Sequence, residues 1–311
     1  MSRGTRQMAR LMALLGVVVI AAVPLPAQAA WPGSNGRIAF EMRGVIYSIQ
    51  PSGAGLVQLT AGPDDHSPRW SPNGNRIVFE RGGDLWLMRA NGSRARQFTS
   101  GPGDDISPGW SADGKNIVFV RSDDGSVALR SIFVKPVSGG TPTRLTQADD
   151  GCADAPTWTS DSRFVVFADD CHLGLPSVRK VDLSSGAISD VVGTSGIAGP
   201  GGQWRFHGSA PDVTPDGTHV VFTVASPSDL CGVGITDLSG GGFRQIAQGG
   251  DCGVFLAEDP AVSPDGRKLA YTAGNENPQL DVVLMSRDNQ CCSGIFFGVD
   301  FPYNPDWRPN T

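Results

Sequence analysis

Short runs of apolar residues, two positions apart, recur along the whole chain, and each run follows a turn rich in Pro, Gly and Asp or Asn. An apolar residue at every second position is typical of a strand with one buried face. The runs are spread over the chain rather than collected in one part of it, so the pattern predicts an all-β protein. The apolar pairs are Ile77 and Phe79, Ile117 and Phe119, Val165 and Phe167, Val220 and Phe222, and Leu269 and Tyr271.

Each run belongs to one copy of a repeated motif, in which a proline is followed two residues later by Trp or Val. Successive motif prolines are 40, 48, 55, 49 and 45 residues apart. Repeats of this length that consist of short strands are typical of β-propellers, and each interval has room for a four-stranded blade. The six motif prolines are Pro68, Pro108, Pro156, Pro211, Pro260 and Pro305.

Tight turns separate the predicted strands. Asn73-Gly74 is a strong hairpin signal, because both central residues must adopt positive φ. Asp113, Asp216 and Asp265 stand before glycines in the equivalent place. We therefore interpret these aspartates as turn residues rather than as catalytic acids.

The two ends of the chain share one repeat. Residues 37–40 have the pattern of a second strand without a motif strand before it, and residues 305–307 form a motif strand with nothing after it. A closed ring leaves no sheet edge exposed if the last strand completes the first blade. The sequence therefore predicts a six-bladed β-propeller closed by its C-terminal strand.

Residues 1–29 have the features of a cleaved secretory signal. Arg3, Arg6 and Arg10 precede a short apolar stretch over residues 11–23, and Ala27-Gln28-Ala29 is an A-x-A cleavage site. We expect residues 30–311 to form a single propeller domain, extracellular or periplasmic, without a membrane anchor. Loss of the three arginines would change the net charge from −6 to −9. An acidic protein of this kind is not expected to bind nucleic acid or anionic membranes.

All six cysteines lie after the predicted cleavage site, as expected of an exported protein with disulfides. We label the strands of a blade A to D from the channel outward, so that D-to-A and B-to-C loops share one face. Cys152 and Cys171 fall in such loops of one blade, and Cys231 and Cys252 fall in loops that also share this face, so we predict these two disulfides. The adjacent Cys291 and Cys292, on the opposite face, form a vicinal disulfide or stay reduced. A zinc site is the rival interpretation, but the chain has no C-x-x-C pair.

The repeat resembles that of TolB-type propellers. It combines W-S-P-D-G, with small variations, with a following I-x-F and with Leu-Thr at the outer strand, as in Leu59-Thr60 and Leu145-Thr146. The resemblance covers nearly all of the chain after the signal and implies the propeller fold. The family also includes propeller domains of prolyl-oligopeptidase-like peptidases and oligogalacturonate lyases, so it implies no single function. Two features of relatives are not expected here: the α/β domain that precedes the propeller in TolB, and a hydrolase domain with a G-x-S-x-G elbow.

Candidate binding residues collect on the D-to-A face, where acids precede successive inner strands. They can cap their loops by accepting backbone N–H bonds, or together hold a cation at the channel mouth. A long Gly-rich insertion over residues 193–209 ends in Trp204, Arg205, Phe206 and His207, which can grip a ligand or pack over the channel. The opposite face consists mainly of tight turns. The predicted ligand-binding residues are Asp65, His66, Asp105, Asp154, Trp204, Arg205 and His207.

These features favour an exported, monomeric binding module for a protein or peptide, with no cofactor and no catalytic residues of its own. Hot spots of protein interfaces are enriched in Trp and Arg, which makes Trp204 and Arg205 the expected anchors. The alternative is a metal-dependent carbohydrate lyase or hydrolase that works at the same face. His66, His172 and His207 all map there, and their convergence would favour the enzyme.

Overall fold

The computed structural model describes residues 34–122, 130–147, 152–169, 176–199, 201–206, 210–226, 230–251, 256–274, 279–284, 295–297 and 302–310. Strands and turns make up these residues, as the alternating pattern predicts. In this described part of the chain, no helix is long and apolar enough to cross a membrane.

The strands of the described residues form six antiparallel sheets, which are the six blades. In the first three, the order along the chain runs outward from the channel, apart from the closing strand of blade 1. Blade 1 contains β26 (Pro302–Asn310), β1 (Ser34–Met42), β2 (Val45–Ile49) and β3 (Val57–Gln58). Blade 2 contains β4 (Asp65–Trp70), β5 (Arg76–Arg81), β6 (Asp84–Arg89) and β7 (Arg96–Gln97). Blade 3 contains β8 (Asp104–Trp110), β9 (Asn116–Ser122), β10 (Arg130–Pro136) and β11 (Thr143–Arg144).

The other three blades follow the same plan, with an enlarged inner edge in blade 5. Blade 4 contains β12 (Ala153–Trp158), β13 (Phe164–Asp169), β14 (Ser177–Asp182) and β15 (Ile188–Val192). Blade 5 contains β16 (Ile197–Gly199), β17 (Gly202–Phe206), β18 (Asp212–Val213), β19 (His219–Ala225), β20 (Leu230–Asp237) and β21 (Arg244–Asp251). Blade 6 contains β22 (Leu256–Val262), β23 (Lys268–Gly274), β24 (Gln279–Leu284) and β25 (Ile295–Phe297).

The ring closes where the sequence predicts. Strand β26 pairs antiparallel with β1, with Trp307 opposite Ile38 and Asp306 opposite Ala39. The last strand of the chain therefore completes the first blade, and the predicted closure is confirmed.

Each junction between neighbouring blades has its own apolar core. Between blades 1 and 2, for example, Ala39 and Ile46 pack with Trp70 and Phe79. The motif Trp or Val takes part in the core of every junction. This explains its place in the repeat, because an inner-strand side chain directed at the preceding blade fills the space between two twisted sheets.

A bulge interrupts the inner strand just before the motif proline. In five blades the residue before proline has a positive φ, between 45° and 51°, and the strand register shifts beside it. Pairing stops there for one residue, so the strand bends. The five residues are Ser67, Ser107, Ala155, Asp259 and Asn304.

The turn aspartates have the structural role that the sequence predicts. Asp113 Oδ1 accepts hydrogen bonds from Ser111 Oγ at 2.7 Å and from the Lys115 backbone N–H at 3.0 Å. Asp216 and Asp265 make equivalent bonds in their own turns. These carboxylates close turns on the face opposite the D-to-A loops, and the interpretation as turn residues is confirmed.

Candidate functional site

The inner strands surround a central cavity of about 360 Å³. Its lining includes, from all six blades, the residue between the motif proline and the motif Trp or Val. By strand alternation this residue lies on the opposite side of the inner strand from the motif Trp or Val, and in Asp212 and Asp306 it reaches the following blade. The six residues are Arg69, Gly109, Thr157, Asp212, Ala261 and Asp306.

The channel is strongly acidic. Of the described residues that line it, Arg69 is the one base, and five are acids. Charges that face each other across such a narrow, partly dehydrated space interact more strongly than on an open surface. The acids are Glu80, Asp154, Asp212, Asp259 and Asp306.

Asp212 and Asp306 bridge neighbouring blades. Asp212 Oδ2 accepts a hydrogen bond from the backbone N–H of Val262 at 2.7 Å, and Asp306 Oδ2 accepts one from the backbone N–H of Trp70. Loss of water around these deep carboxylates raises the pKa of Asp212 to about 6 and that of Asp306 to about 7. The hydrogen bonds from Val262 and Trp70 and the positive charge of Arg69 favour the ionised forms and oppose both shifts, but burial outweighs them.

Carboxylates also cap the bulges. Glu80 Oε1 accepts the backbone N–H of Ser107 in the next blade at 2.6 Å, and Glu41 Oε2 accepts that of Ser67 at 3.4 Å. Burial raises the pKa of Glu80, although its hydrogen bond from Ser107 opposes that shift. Each B-strand glutamate thus satisfies an amide that the bulge leaves without a strand partner.

His66 stands between two carboxylates at the channel mouth. Its Nδ1 lies 2.7 Å from Glu41 Oε1, and its Nε2 lies 3.2 Å from Asp64 Oδ1. Partial burial lowers the pKa of His66, but the hydrogen bond and charge of Glu41, together with Asp64, outweigh burial and raise it. The imidazole side chain is 39% exposed. It is therefore a half-exposed group that favours the imidazolium form, with both nitrogens engaged.

Asp65 and Asp105 do not face an open acidic ring. Asp65 is fully buried and binds the Arg81 guanidinium through both carboxylate oxygens. Asp105 is also fully buried and binds Arg121 in the same way, at 2.6 and 2.8 Å. The expectation that these carboxylates are presented to a ligand is wrong, because each forms a buried ion pair between the first two strands of its blade.

Asp154 is the predicted acid that does reach the channel. Its side chain is 27% exposed, forms an ion pair with Arg130 and accepts a hydrogen bond from Ser107 Oγ at 2.8 Å. Asp64, which is 62% exposed, contacts His66, and His66 precedes the lining residue Ser67 in the chain. The structure thus leaves part of the predicted site accessible.

The predicted insertion is not an open loop. Strands β16 and β17 form a hairpin, and β17 pairs with β19 of blade 5. Trp204 is 6% exposed, and its ring centroid lies 5.4 Å from that of Phe243. The motif residue of this blade is the smaller Val213, and Trp204 adds an indole to the same core. The expectation of an exposed Trp204 is wrong, whereas Arg205 is exposed.

The rest of the predicted chemistry falls outside the described residues. His172 and His207 lie outside the described residues, so the convergence of three histidines stays a prediction. Cys171, Cys252, Cys291 and Cys292 also lie outside them, so the pairing of the cysteines stays a prediction as well. Cys152 is buried. Within the described ranges, no group of three or more His, Cys, Asp or Glu residues is placed to hold a metal ion.

Sequence reasoning missed the channel carboxylates Asp212 and Asp306. A signal was present: both occupy the motif position between proline and Trp or Val, which strand alternation places on the opposite side of the inner strand from the Trp or Val. The ion pairs of Asp65 and Asp105 also left a signal, since each arginine partner follows its aspartate by 16 residues.

Comparison with known proteins agrees with this architecture. Residues 62–187 match the family model described as the TolB beta propeller domain. No curated protein matches the chain.

Solved structures extend the likeness to most of the chain. The crystal structure of TolB from Acinetobacter baumannii is 18% identical, covers 88% of this chain and 67% of its own, and has a TM-score of 0.70. Putative TolB from Agrobacterium tumefaciens is 18% identical, covers 89% of this chain and 100% of its own, and has a TM-score of 0.65. An oligogalacturonate lyase in complex with manganese is 12% identical, covers 79% and 84%, and has a TM-score of 0.51. At these identities the likeness concerns the fold.

Proposed function

Since this chain carries a TolB-like β-propeller, we propose that it is an exported binding module that holds a protein or peptide partner at the D-to-A mouth of the channel. The observation that carries the proposal is the charge of this mouth. Among the described residues, five acids and a single arginine line the cavity; one of these acids, Asp154, is 27% exposed, and Asp64, in contact with His66, is 62% exposed. A partner segment with Lys or Arg side chains complements this surface.

The arrangement of His66 supports binding rather than proton transfer. Both ring nitrogens lie against carboxylates, at 2.7 and 3.2 Å, so neither is available as a general base. A half-exposed imidazole with fixed partners is instead suited to orient a polar group of a partner. Arg205, which is exposed on the β16–β17 hairpin, adds a donor for a carbonyl or carboxylate of the same partner.

Export is part of the proposal and rests on the sequence. The basic start, the apolar stretch and the A-x-A site of residues 1–29 are typical of a secretory signal. The even number of cysteines fits an oxidising compartment. Amino-terminal sequencing of the protein from its native source tests the predicted cleavage after Ala29.

Binding of short labelled peptides tests the proposed partner chemistry. We expect peptides that alternate Lys with Gly to bind, and those that alternate Glu or Ser with Gly not to bind. Because the contact is electrostatic and partly exposed, affinity should fall steeply between about 0.05 and 0.5 M salt. Equal binding of the three peptides would contradict the proposal.

Charge variants locate the contact. Asp64→Asn and Asp154→Asn should each weaken Lys-peptide binding by about twofold to fivefold, which corresponds to the loss of one partly exposed charge contact. Asp216→Asn is the matched control, because it removes the same charge from a turn on the opposite face, where Asn73 already occupies the equivalent position. If Asp216→Asn weakens binding as much as the other two, the mouth is not the binding surface.

The alternative, a metal-dependent carbohydrate lyase or hydrolase, is supported by the shared fold of the manganese-bound lyase and by the position of His66. Elemental analysis of protein purified without chelators distinguishes the two functions. A stoichiometric transition metal that is lost in His66→Ala or His207→Ala would favour the enzyme and contradict a purely binding role.

A further inference from the structure

Two of the six motif positions that face the channel carry an aspartate, and both aspartates join neighbouring blades. Asp212 of blade 5 accepts the Val262 N–H of blade 6 at 2.7 Å. Asp306 of the closing strand accepts the Trp70 N–H of blade 2. Strand β26 closes the ring by pairing with β1 inside blade 1. The bond from Trp70 additionally joins β26 to β4 of blade 2.

The charges around these two aspartates do not balance. Arg69 on β4 attracts Asp212, Asp259 and Asp306. Asp212 repels Asp306, while Glu41 on β1 and Asp154 on β12 repel Asp259. One guanidinium therefore faces several carboxylates in a confined cavity.

Glu80 on β5 also lines the cavity and adds a further buried acid, whose pKa burial raises. Two other titratable groups of the neighbouring strands lie elsewhere. His219 starts β19 and bonds to Thr218 at the turn, 2.6 Å away. Lys268 starts β23 beside the turn capped by Asp265 and lines a separate groove with Asn35 and Asn310. Neither supplies a second positive charge to the cavity lining.

We propose that Asp212 and Asp306 form a proton-operated clasp, which holds the junctions of blades 5 and 6 and of blades 1 and 2 while it carries protons and loosens them when the protons leave. A protonated carboxyl still accepts the backbone N–H through its other oxygen. When the carboxyl groups are ionised, two or three negative charges lie near the single positive charge of Arg69 in a space with little water. The repulsion between these carboxylates acts across the same two junctions.

The direction of the pH effect follows from the deep position of both groups. Desolvation raises the pKa of each aspartate in the folded protein, to about 6 and about 7. The folded state therefore holds more protons than the unfolded state between about pH 4 and pH 7, and stability falls as the pH rises through this window. The two titrations are coupled, so the pKa values describe the pair of aspartates rather than either residue alone.

Four blades have no aspartate at the equivalent motif position. Arg69, Gly109, Thr157 and Ala261 stand where the other two blades have aspartate. These positions provide an internal comparison, because each is the equivalent motif position of an inner strand but carries no aspartate.

The first experiment is urea unfolding of the wild type and of Asp212→Asn/Asp306→Asn between about pH 5 and pH 8. Asparagine keeps an acceptor oxygen for the Val262 or Trp70 amide but does not titrate. We expect the pH dependence of unfolding to decrease by about one to two protons in the double variant. Asp216→Asn, the matched turn control, should keep the wild-type slope. A double variant with the full slope overturns the proposal, and so does a wild type whose stability is flat over this range.

Hydrogen exchange on the wild type provides a second measurement if the double variant does not fold. After correction for intrinsic exchange rates, protection of the Trp70 and Val262 amides should decrease from about pH 5 to pH 8. Protection of the Trp110 and Trp158 amides, at junctions without a motif aspartate, should change little. A parallel change at all four amides would show that the clasp does not operate, whatever partner the channel mouth binds.

Discussion

The indole N–H of Trp307 donates a hydrogen bond to the backbone oxygen of Ala261 at 3.0 Å, which ties the closing strand to blade 6. Trp110 makes the same bond to Arg69 in the preceding blade, also at 3.0 Å. The closing strand thus uses the same contact as an internal strand. Ring closure therefore has the geometry of an ordinary blade junction.

Deletion of residues 301–311 should unfold the protein or cause it to aggregate. The deletion removes the inner strand of blade 1 and with it Trp307, which is 1% exposed. Loss of one large buried aromatic side chain typically costs about 3–5 kcal/mol, and an exposed sheet edge favours aggregation. Thermal and urea unfolding measure the effect. Tyr303→Ala, in the same strand but exposed, is the control, and a truncated protein with wild-type melting would contradict the role of the strand.

Trp204 and Arg205 should behave in opposite ways. Trp204→Ala should destabilise the fold by about 3–5 kcal/mol, because it leaves a cavity beside Phe243 at the junction of blades 4 and 5. Arg205→Ala should leave stability unchanged and weaken partner binding. Unfolding curves and peptide titrations separate the two effects. A stable Trp204→Ala protein would mean that the hairpin does not contribute to the core.

The ion pair of Asp105 and Arg121 should be structural. Asp105→Ala removes the carboxylate that binds the largely buried Arg121 guanidinium and should lower the free energy of unfolding by about 3–5 kcal/mol. Lys115→Ala, which breaks an exposed pair with Asp113, should cost less than about 1 kcal/mol. Replacement of both Asp105 and Arg121 by Leu should recover part of the loss. If Asp105→Ala is as mild as Lys115→Ala, the pair does not stabilise the blade.

The protonation of His66 should depend on Glu41. Because the carboxylates raise the pKa of His66 in the folded state, the stabilisation they provide is complete below about pH 6.5 and is lost as the pH rises through the raised value. NMR titration should show His66 above the usual pKa of about 6.5, and Glu41→Gln should lower it. The signal of His219, on the opposite face, is the control. A His66 titration that is unaffected by Glu41→Gln would refute the assignment.

The disulfides Cys152–Cys171 and Cys231–Cys252 remain a prediction. Each disulfide would close a short loop and raise the free energy of unfolding by about 2–4 kcal/mol. Peptide mapping without reduction should recover both cross-linked pairs. A peptide that joins Cys152 to Cys231, or free thiols at all four positions, would exclude this pairing.

The fold was predictable because its determinants are local. The motif Trp or Val, the Asn-Gly and Asp-Gly turns and the paired apolar positions each fix one strand, and the split repeat at the ends predicts how the ring closes. These signals depend on neighbouring residues, and the structure confirms the six predicted blades and their closure.

The candidate site was less predictable because burial depends on contacts far apart in the sequence. Asp65 and Asp105 have the composition of a loop cap, and only the strand register places Arg81 and Arg121 opposite them. Trp204 follows a Gly-rich segment typical of a loop, but alternation with Phe206 indicates a strand. Its burial further depends on the small Val213 at the same junction.

Ser34 and Asn310 are register partners in the sheet of blade 1, so the two ends of the described ring lie side by side. In the described strands, hydrogen bonds between β26 and β1 hold this seam, and inner strands of other blades pair with their second strands in the same antiparallel way. A circular permutation that links residue 310 to residue 34 and opens the chain in another exposed loop would keep every junction of the ring. The order of the blades along the polypeptide is therefore separable from their order around the channel.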